Sequence, residues 1–174
     1  ATRKLHIISK PIIDSYESGY AKAKIKRFPN ALSDIASSQL VRSSRFNKRR
    51  RDIVLQYRNK LKGIVKFISY DEVIPYLRFP ILVDERLKLF EFCKKDLVYL
   101  GDWYSNVIDP KTTNLDELGY KKGTLNTAEA IASKIVNLPC YPTMTDSDVE
   151  RVIGLIKDFY RRYEKKASSR RGKK

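Results

Sequence analysis

Residues Asn137–Tyr160 read NLPCYPTMTDSDVERVIGLIKDFY, a strand that stops and an amphipathic helix that starts. Pro139 and Pro142 flank Cys140 and Tyr141 and end the extended run, since proline supplies no ladder donor. Thr145 suits the N-cap, and Asp148, three residues on, can return its carboxylate to the cap N–H. Met144 and Val149 stand where a hydrophobic staple would close the first turn. Val149, Val152, Ile153, Ile156 and Phe159 then recur at helical spacing, which predicts a single buried stripe.

Working outward, Ile135–Leu138 reads as a short strand, preceded by a helix capped by Asn126 or Thr127 and running to about Lys134. Before it lies a polar loop lasting to about Thr124, and before that a strand at Leu97–Leu100 that runs into Gly101, Asp102, Trp103 and Tyr104. Asp84 is the expected cap of a helix from Glu85 to about Lys95. Tyr76–Val83 reads as a strand whose Pro80 argues for an edge or a bulge. Asp71–Pro75 is a turn, and Ile64–Ile68 a short β-branched strand after Gly63. Asn30, following Pro29, is a good N-cap for a long helix to about Lys62, with a stripe of Leu32, Ile35, Gln39, Phe46, Ile53, Tyr57 and Leu61. Residues 1–29 are an irregular connecting segment. Short strands with helices between them, lacking regular βαβ alternation, predict an α+β layer rather than a doubly wound sheet.

The chain has 174 residues and a formal net charge of +16. That charge is uneven: +5 over residues 1–30, +8 over 31–68, −4 over 69–160 and +7 over 161–174. Arg45, Lys48, Arg49, Arg50 and Arg51 form a basic belt on the long helix, either solvated or facing anionic partners. The last stretch, RRYEKKASSRRGKK, reads as a separable, disordered basic tail. A stand-alone basic module binding an anion such as nucleic acid is the competing reading, and the negative middle of the chain argues against it. No apolar run approaches a membrane span and no signal peptide opens the sequence, so a cytoplasmic protein is expected. The chain opens with Ala1, and Met144 is its one methionine, which suggests a processed chain or a piece of something longer.

Catalytic signatures are sparse. The sequence has one histidine, His6, and two cysteines without a CxxC, so zinc fingers and nucleophile–histidine triads have little to draw on. Cys93 reads as a small buried hydrophobe, Cys140 as more exposed. Neither catalytic residues nor metal ligands are assigned. The cluster Gly101-Asp102-Trp103-Tyr104-Ser105-Asn106 resembles a pocket mouth, with stacking faces and polar donors. The same aromatics would also suit the closed end of a core.

Four segments together resemble the DegT-like (DegT/DnrJ/StrS) sugar aminotransferases, fold type I pyridoxal-phosphate enzymes. They are FPNALSDIASSQLVRSSRFNKRRRDIVLQY, YLRFPILVDERLKLFEFCKKDLVYLGDWYSNVI, GTLNTAEAIASKIVNLPCYP and the terminal helix, in family order from about Phe28 to Phe159. The resemblance implies a C-terminal small domain at residues 30–160, with a short, mostly antiparallel sheet, helices packed on it and one long N-terminal helix. Residues 1–29 would then be the end of the large cofactor domain. It further implies amino transfer to a keto or aldehyde sugar, usually nucleotide-linked, from glutamate, in a homodimer with active sites at the subunit interface.

Pyridoxal phosphate is the implied cofactor, held by a lysine of the large domain. No lysine here has that context, and Lys4 and Lys10 lie in the leader, so this chain alone is not expected to transaminate. Many members carry Asn-Tyr-Arg before the long helix, the asparagine reaching the cofactor phosphate of the neighbouring subunit. Here the order is Arg27-Phe28-Pro29-Asn30-Ala31. Asn30 is the cofactor-binding candidate by this resemblance, with the plain N-cap role as its alternative. Trp103 and Tyr104 correspond to the loop lining the sugar or nucleotide pocket, and Arg27 is a candidate phosphate contact.

Overall fold

A computed structural model describes residues 27, 29–68, 74–109 and 112–171, with side chains through residue 163. His6, Lys4, Lys10, the rest of the expected leader apart from Arg27 and Pro29, and residues 71–73 of the expected turn lie outside the described residues. The elements are α1 (Asn30–Leu61), β1 (Lys66–Phe67), β2 (Arg78–Leu82), α2 (Arg86–Lys95), α3 (Asn126–Lys134), β3 (Ile135–Pro139) and α4 (Asp146–Arg171). The strands form an antiparallel sheet in the order β1-β2-β3. The α+β layer expected from the sequence is therefore present. The chain divides into two compact units, one containing residues 106–132 and Arg27, the other residues 28–105 and 133–174.

In the larger unit, one face of the sheet carries the core. Phe79 and Ile81 of β2 stand opposite Leu138 and Val136 of β3. Ile53, Val54, Tyr57 and Leu61 of α1 join them, with Leu89 and Cys93 of α2. The α4 stripe is the predicted one: Val149, Val152, Ile153, Ile156 and Phe159 are all buried, and α4 packs against α1 and α2. The capping box at its start is formed. Thr145 N–H and Oγ1–H donate to Asp148 Oδ2 at 2.8 and 2.7 Å, and Asp148 N–H donates to Thr145 Oγ1 at 3.1 Å. Val149 is in the core with Met144 packed against it, completing the staple. The helix continues to Arg171, through most of the stretch expected as a separable tail.

Arg49 accounts for part of the basic belt. Its Nε and Nη2 donate to the Met144 carbonyl at 3.1 and 2.7 Å, and its Nη1 meets Asp146 Oδ1 at 2.8 Å. Gln56 donates to the same carboxylate oxygen at 2.9 Å. These bonds tie α1 to the start of α4. Thr145 holds the Asp148 carboxyl below the ordinary aspartate range, and Gln56 and Arg49 do the same for Asp146. A depressed folded-state pKa contributes stability that is present above the unfolded value and lost as pH falls through the folded one. The urea midpoint is expected to drop between about pH 5 and about pH 3. The drop should shrink in an Asp146→Asn/Asp148→Asn double variant; an identical pH profile in that variant would remove these carboxylates from the account.

Several local expectations are corrected. Pro29, at φ −64° and ψ 140°, occupies the N-cap of α1 without a side-chain cap, and Asn30 is the first helical residue. Proline's fixed φ suits the extended cap conformation. Leu32 and Ile35 are exposed although they lie on the expected stripe, because the buried residues of α1 begin only at Ile53. Pro80 lies in the middle strand. β1 pairs only with Ile81 and Leu82, so at Pro80 β2 has β3 as its one partner strand. Asp84 does not cap α2; Glu85 stands at the N-cap, and Asp84 pairs with Lys134 at 2.7 Å.

Leu97–Leu100 is not a ladder strand but ends in one bridge, Gly101 to Asn137. The reason is the end of α2. Val98 N–H returns to Cys93 O at 3.1 Å and Leu97 N–H to Lys94 O at 3.0 Å, a Schellman motif. It places Leu97 at φ 57°, where a side chain is disfavoured. Leu97 is 73% exposed. Replacing it with glycine is therefore expected to raise stability by about 1 kcal/mol, net of glycine's greater chain entropy. Denaturant midpoints at unchanged slope would measure this, and a lower midpoint would contradict it.

Candidate functional site

Strand alternation gives the sheet a second face. Arg78 and Pro80 of β2 point opposite to Phe79 and Ile81, and Asn137 of β3 lies opposite Pro80 in the register. Asn137 is a buried polar side chain, 6% exposed, on a strand otherwise spelled with Ile, Val, Leu and Pro. The segment leading from Gly101 to Trp103 covers it. Gly101 N–H donates to Asn137 O at 2.9 Å, and Asn137 N–H to Gly101 O at 2.8 Å. Asn137 Oδ1 then accepts from Trp103 N–H at 2.9 Å. The side-chain oxygen thus extends a one-bridge ladder by one further bond.

The outcome is an exposed aromatic wall. Trp103 and Tyr104 are 51% and 56% exposed, and their rings stack at 5.8 Å with 12° between planes. The Arg78 guanidinium lies 3.7 Å from the Trp103 ring centroid. Glycine at 101 is a matter of space: a Cβ there would stand 3.0 Å from Arg78 Nη1 and 3.1 Å from Asn137 Cβ. A cleft of about 200 Å³ lies beside this segment, lined by Phe90, Lys94, Val98, Tyr99, Leu100 and Asp102. It is smaller than the usual small-molecule pocket.

The other sequence candidates stand differently. Arg27 and Asn30 are exposed. Cys140 is fully buried, contrary to expectation, and its thiol donates to Arg50 O at 3.7 Å. Burial pushes the Cys140 thiol up to about 11 and the Cys93 thiol up to about 12, so neither is a nucleophile near neutrality. Every lysine whose side chain is described is exposed, except Lys157, which is half-buried. Lys60, Lys88 and Lys134 pair with Glu150, Glu85 and Asp84. A lysine that carries pyridoxal phosphate must be deprotonated to react, which usually takes desolvation or a neighbouring cation. None of the lysines with described side chains is buried, so none of them has the desolvated setting of such a lysine. Among the described residues no helix is long and apolar enough to cross a membrane.

In the smaller unit, the Glu129 carboxylate accepts from Tyr120 OH at 2.7 Å and Gly123 N–H at 2.6 Å. The glutamate of the Asn-x-Ala-Glu sequence therefore staples its own loop to the first turn of α3. Arg78 and Asn137 were missed by sequence reasoning. The available signal was a lone asparagine inside a β-branched strand, which demands a hydrogen-bond partner when buried.

An α+β layer with a three-stranded antiparallel sheet matches part of the fold type I aminotransferase architecture. The profile of the DegT/DnrJ/EryC1/StrS aminotransferase family matches residues 16–157, and the chain belongs to that family. It is similar in structure to a DegT DnrJ EryC1 StrS aminotransferase from Brucella abortus, with TM-score 0.66 and 19% identity over 82% of this chain and 41% of that one. DesV of S. venezuelae, solved in complex with a ketimine intermediate, gives TM-score 0.67 and 17% identity over 84% and 42%. NtdA from Bacillus subtilis, solved with bound cofactor PMP, gives 0.57 and 22% over 67% and 28%. The chain thus spans well under half the length of these solved relatives. No curated protein matches it.

Proposed function

We propose that this chain is the C-terminal small-domain portion of a pyridoxal-phosphate aminotransferase that acts on a nucleotide-linked keto or aldehyde sugar. The observation that supports this reading is the Trp103–Tyr104 wall, held by Asn137 at the sheet end within a chain of this family. The lysine that holds the cofactor, and the amine chemistry it performs, belong to a second domain. Within the whole enzyme the wall binds and orients the sugar and excludes water from its apolar face. Glutamate as donor, a homodimer, Asn30 at the cofactor phosphate and Arg27 at a substrate phosphate complete the reading, in a cytoplasmic enzyme.

Two measurements test it. Trp103 is the single tryptophan, so its emission reports on the wall directly. A uridine diphosphate sugar should change that emission saturably, and a flat titration would overturn the reading of the wall. Pyridoxal phosphate followed by borohydride should leave no single lysine labelled at one per chain. Such a stoichiometric adduct would place the cofactor site in this chain and overturn the division of labour.

A further inference from the structure

We propose that Arg78 is the oxyanion-binding residue of the Trp103–Tyr104 wall, selecting sugar derivatives that carry a diphosphate or a carboxylate. The inference rests on the reading of this wall as a sugar-binding face. Arg78 opens β2 on the sheet face opposite Phe79, and its guanidinium lies 3.7 Å from the Trp103 centroid. Stacking engages the flat face of the guanidinium and leaves its N–H edge for in-plane partners. Arg49 spends its edge on Met144 O and Asp146, and Arg151 donates to Asp96 O. Arg78 makes no hydrogen bond or ion pair among the described residues.

A planar fork with open donors matches the two oxygens of a carboxylate or phosphate. The stack fixes that fork against the indole, so little side-chain freedom remains to be lost on binding. Beside it, Trp103 and Tyr104 offer a nearly flat apolar surface for the C–H face of a pyranose. Gly101 and Asn137 hold the wall from behind, so the two subsites keep a fixed separation.

Trp103 emission, titrated in wild type and in Arg78→Gln and Arg78→Lys variants, tests the assignment. The probes are a uridine diphosphate sugar, uridine diphosphate, glucuronate and neutral N-acetylglucosamine. Arg78→Gln should weaken the anionic probes by about ten- to a hundred-fold, the range of a lost charged bidentate contact. Arg78→Lys should recover only part of that loss, and the neutral sugar should respond alike in all three proteins. The diphosphate and glucuronate arms decide which oxyanion source is preferred. Added salt should weaken wild type more than Arg78→Gln. Equal affinity of wild type and Arg78→Gln for every anionic probe overturns the role of Arg78 and leaves the wall standing. Parallel losses for the neutral sugar would make Arg78 a positioning residue and also overturn the proposal. No saturable response in wild type would overturn the wall and Arg78 together.

Discussion

Tyr57→Ala is expected to cost about 3–5 kcal/mol of folding stability, the range of a buried aromatic truncation. Tyr57 is fully buried in the last two turns of α1 and stacks on Phe79 at 5.6 Å with 26° between planes. Phe67 and Tyr76 meet the same Phe79 ring at 5.7 and 5.6 Å, so one aromatic cluster joins β1, β2 and α1. The Tyr57 hydroxyl donates to Pro139 O at 2.8 Å, at the end of β3. Burial pushes the phenol above its usual range, which keeps the hydroxyl a hydrogen-bond donor near neutral pH. Against a typical domain stability of about 5–15 kcal/mol, the truncation removes a large share. Tyr57→Phe separates the two contributions: it keeps the ring and leaves the Pro139 carbonyl unpaired, at about 1–2 kcal/mol. Guanidinium unfolding followed by far-ultraviolet circular dichroism measures both. A Tyr57→Phe loss equal to that of Tyr57→Ala would deny the ring its packing role.

What was legible beforehand is what depends on neighbours in sequence. The Thr145–Asp148 box, the α4 stripe and the helical run ending near Gly63, where φ is 77°, are local matters. Errors fell where a distant partner or a single backbone angle decides. Asp84 had a better partner in Lys134, fifty residues on, than in its own helix. Leu97 takes a left-handed conformation that a leucine does not advertise, and a strand became a single bridge. Leu32 and Ile35 have helical periodicity, but periodicity does not say where the covering core begins. At the candidate site, Trp103 and Tyr104 were visible as aromatics after a glycine. Arg78 and Asn137 were not, because the register that brings them beneath the wall joins strands more than fifty residues apart.

Gly101→Ala should cost about 1–3 kcal/mol and change Trp103 emission, although Gly101 is not part of the wall itself. The new methyl group would meet Arg78 Nη1 at 3.0 Å, Asn137 Cβ at 3.1 Å and Asn137 Oδ1 at 3.3 Å. Arg78 can swing away, since its guanidinium is the far end of a flexible chain. Asn137 has no such freedom. It is paired to Gly101 by two backbone bonds of 2.9 and 2.8 Å and to Pro80 across β2, so relief must come from the 101–103 segment. Moving that segment stretches the bond from Trp103 N–H to Asn137 Oδ1 and separates the indole from Arg78. A buried amide oxygen that loses its partner adds its own cost. The emission maximum of the folded variant is the decisive readout, taken with its denaturation midpoint. Loss of stability with unchanged emission would mean that the methyl group is absorbed elsewhere. Unchanged stability and emission would mean that the bridge has slack the geometry does not show, and that the wall is held by something other than Asn137.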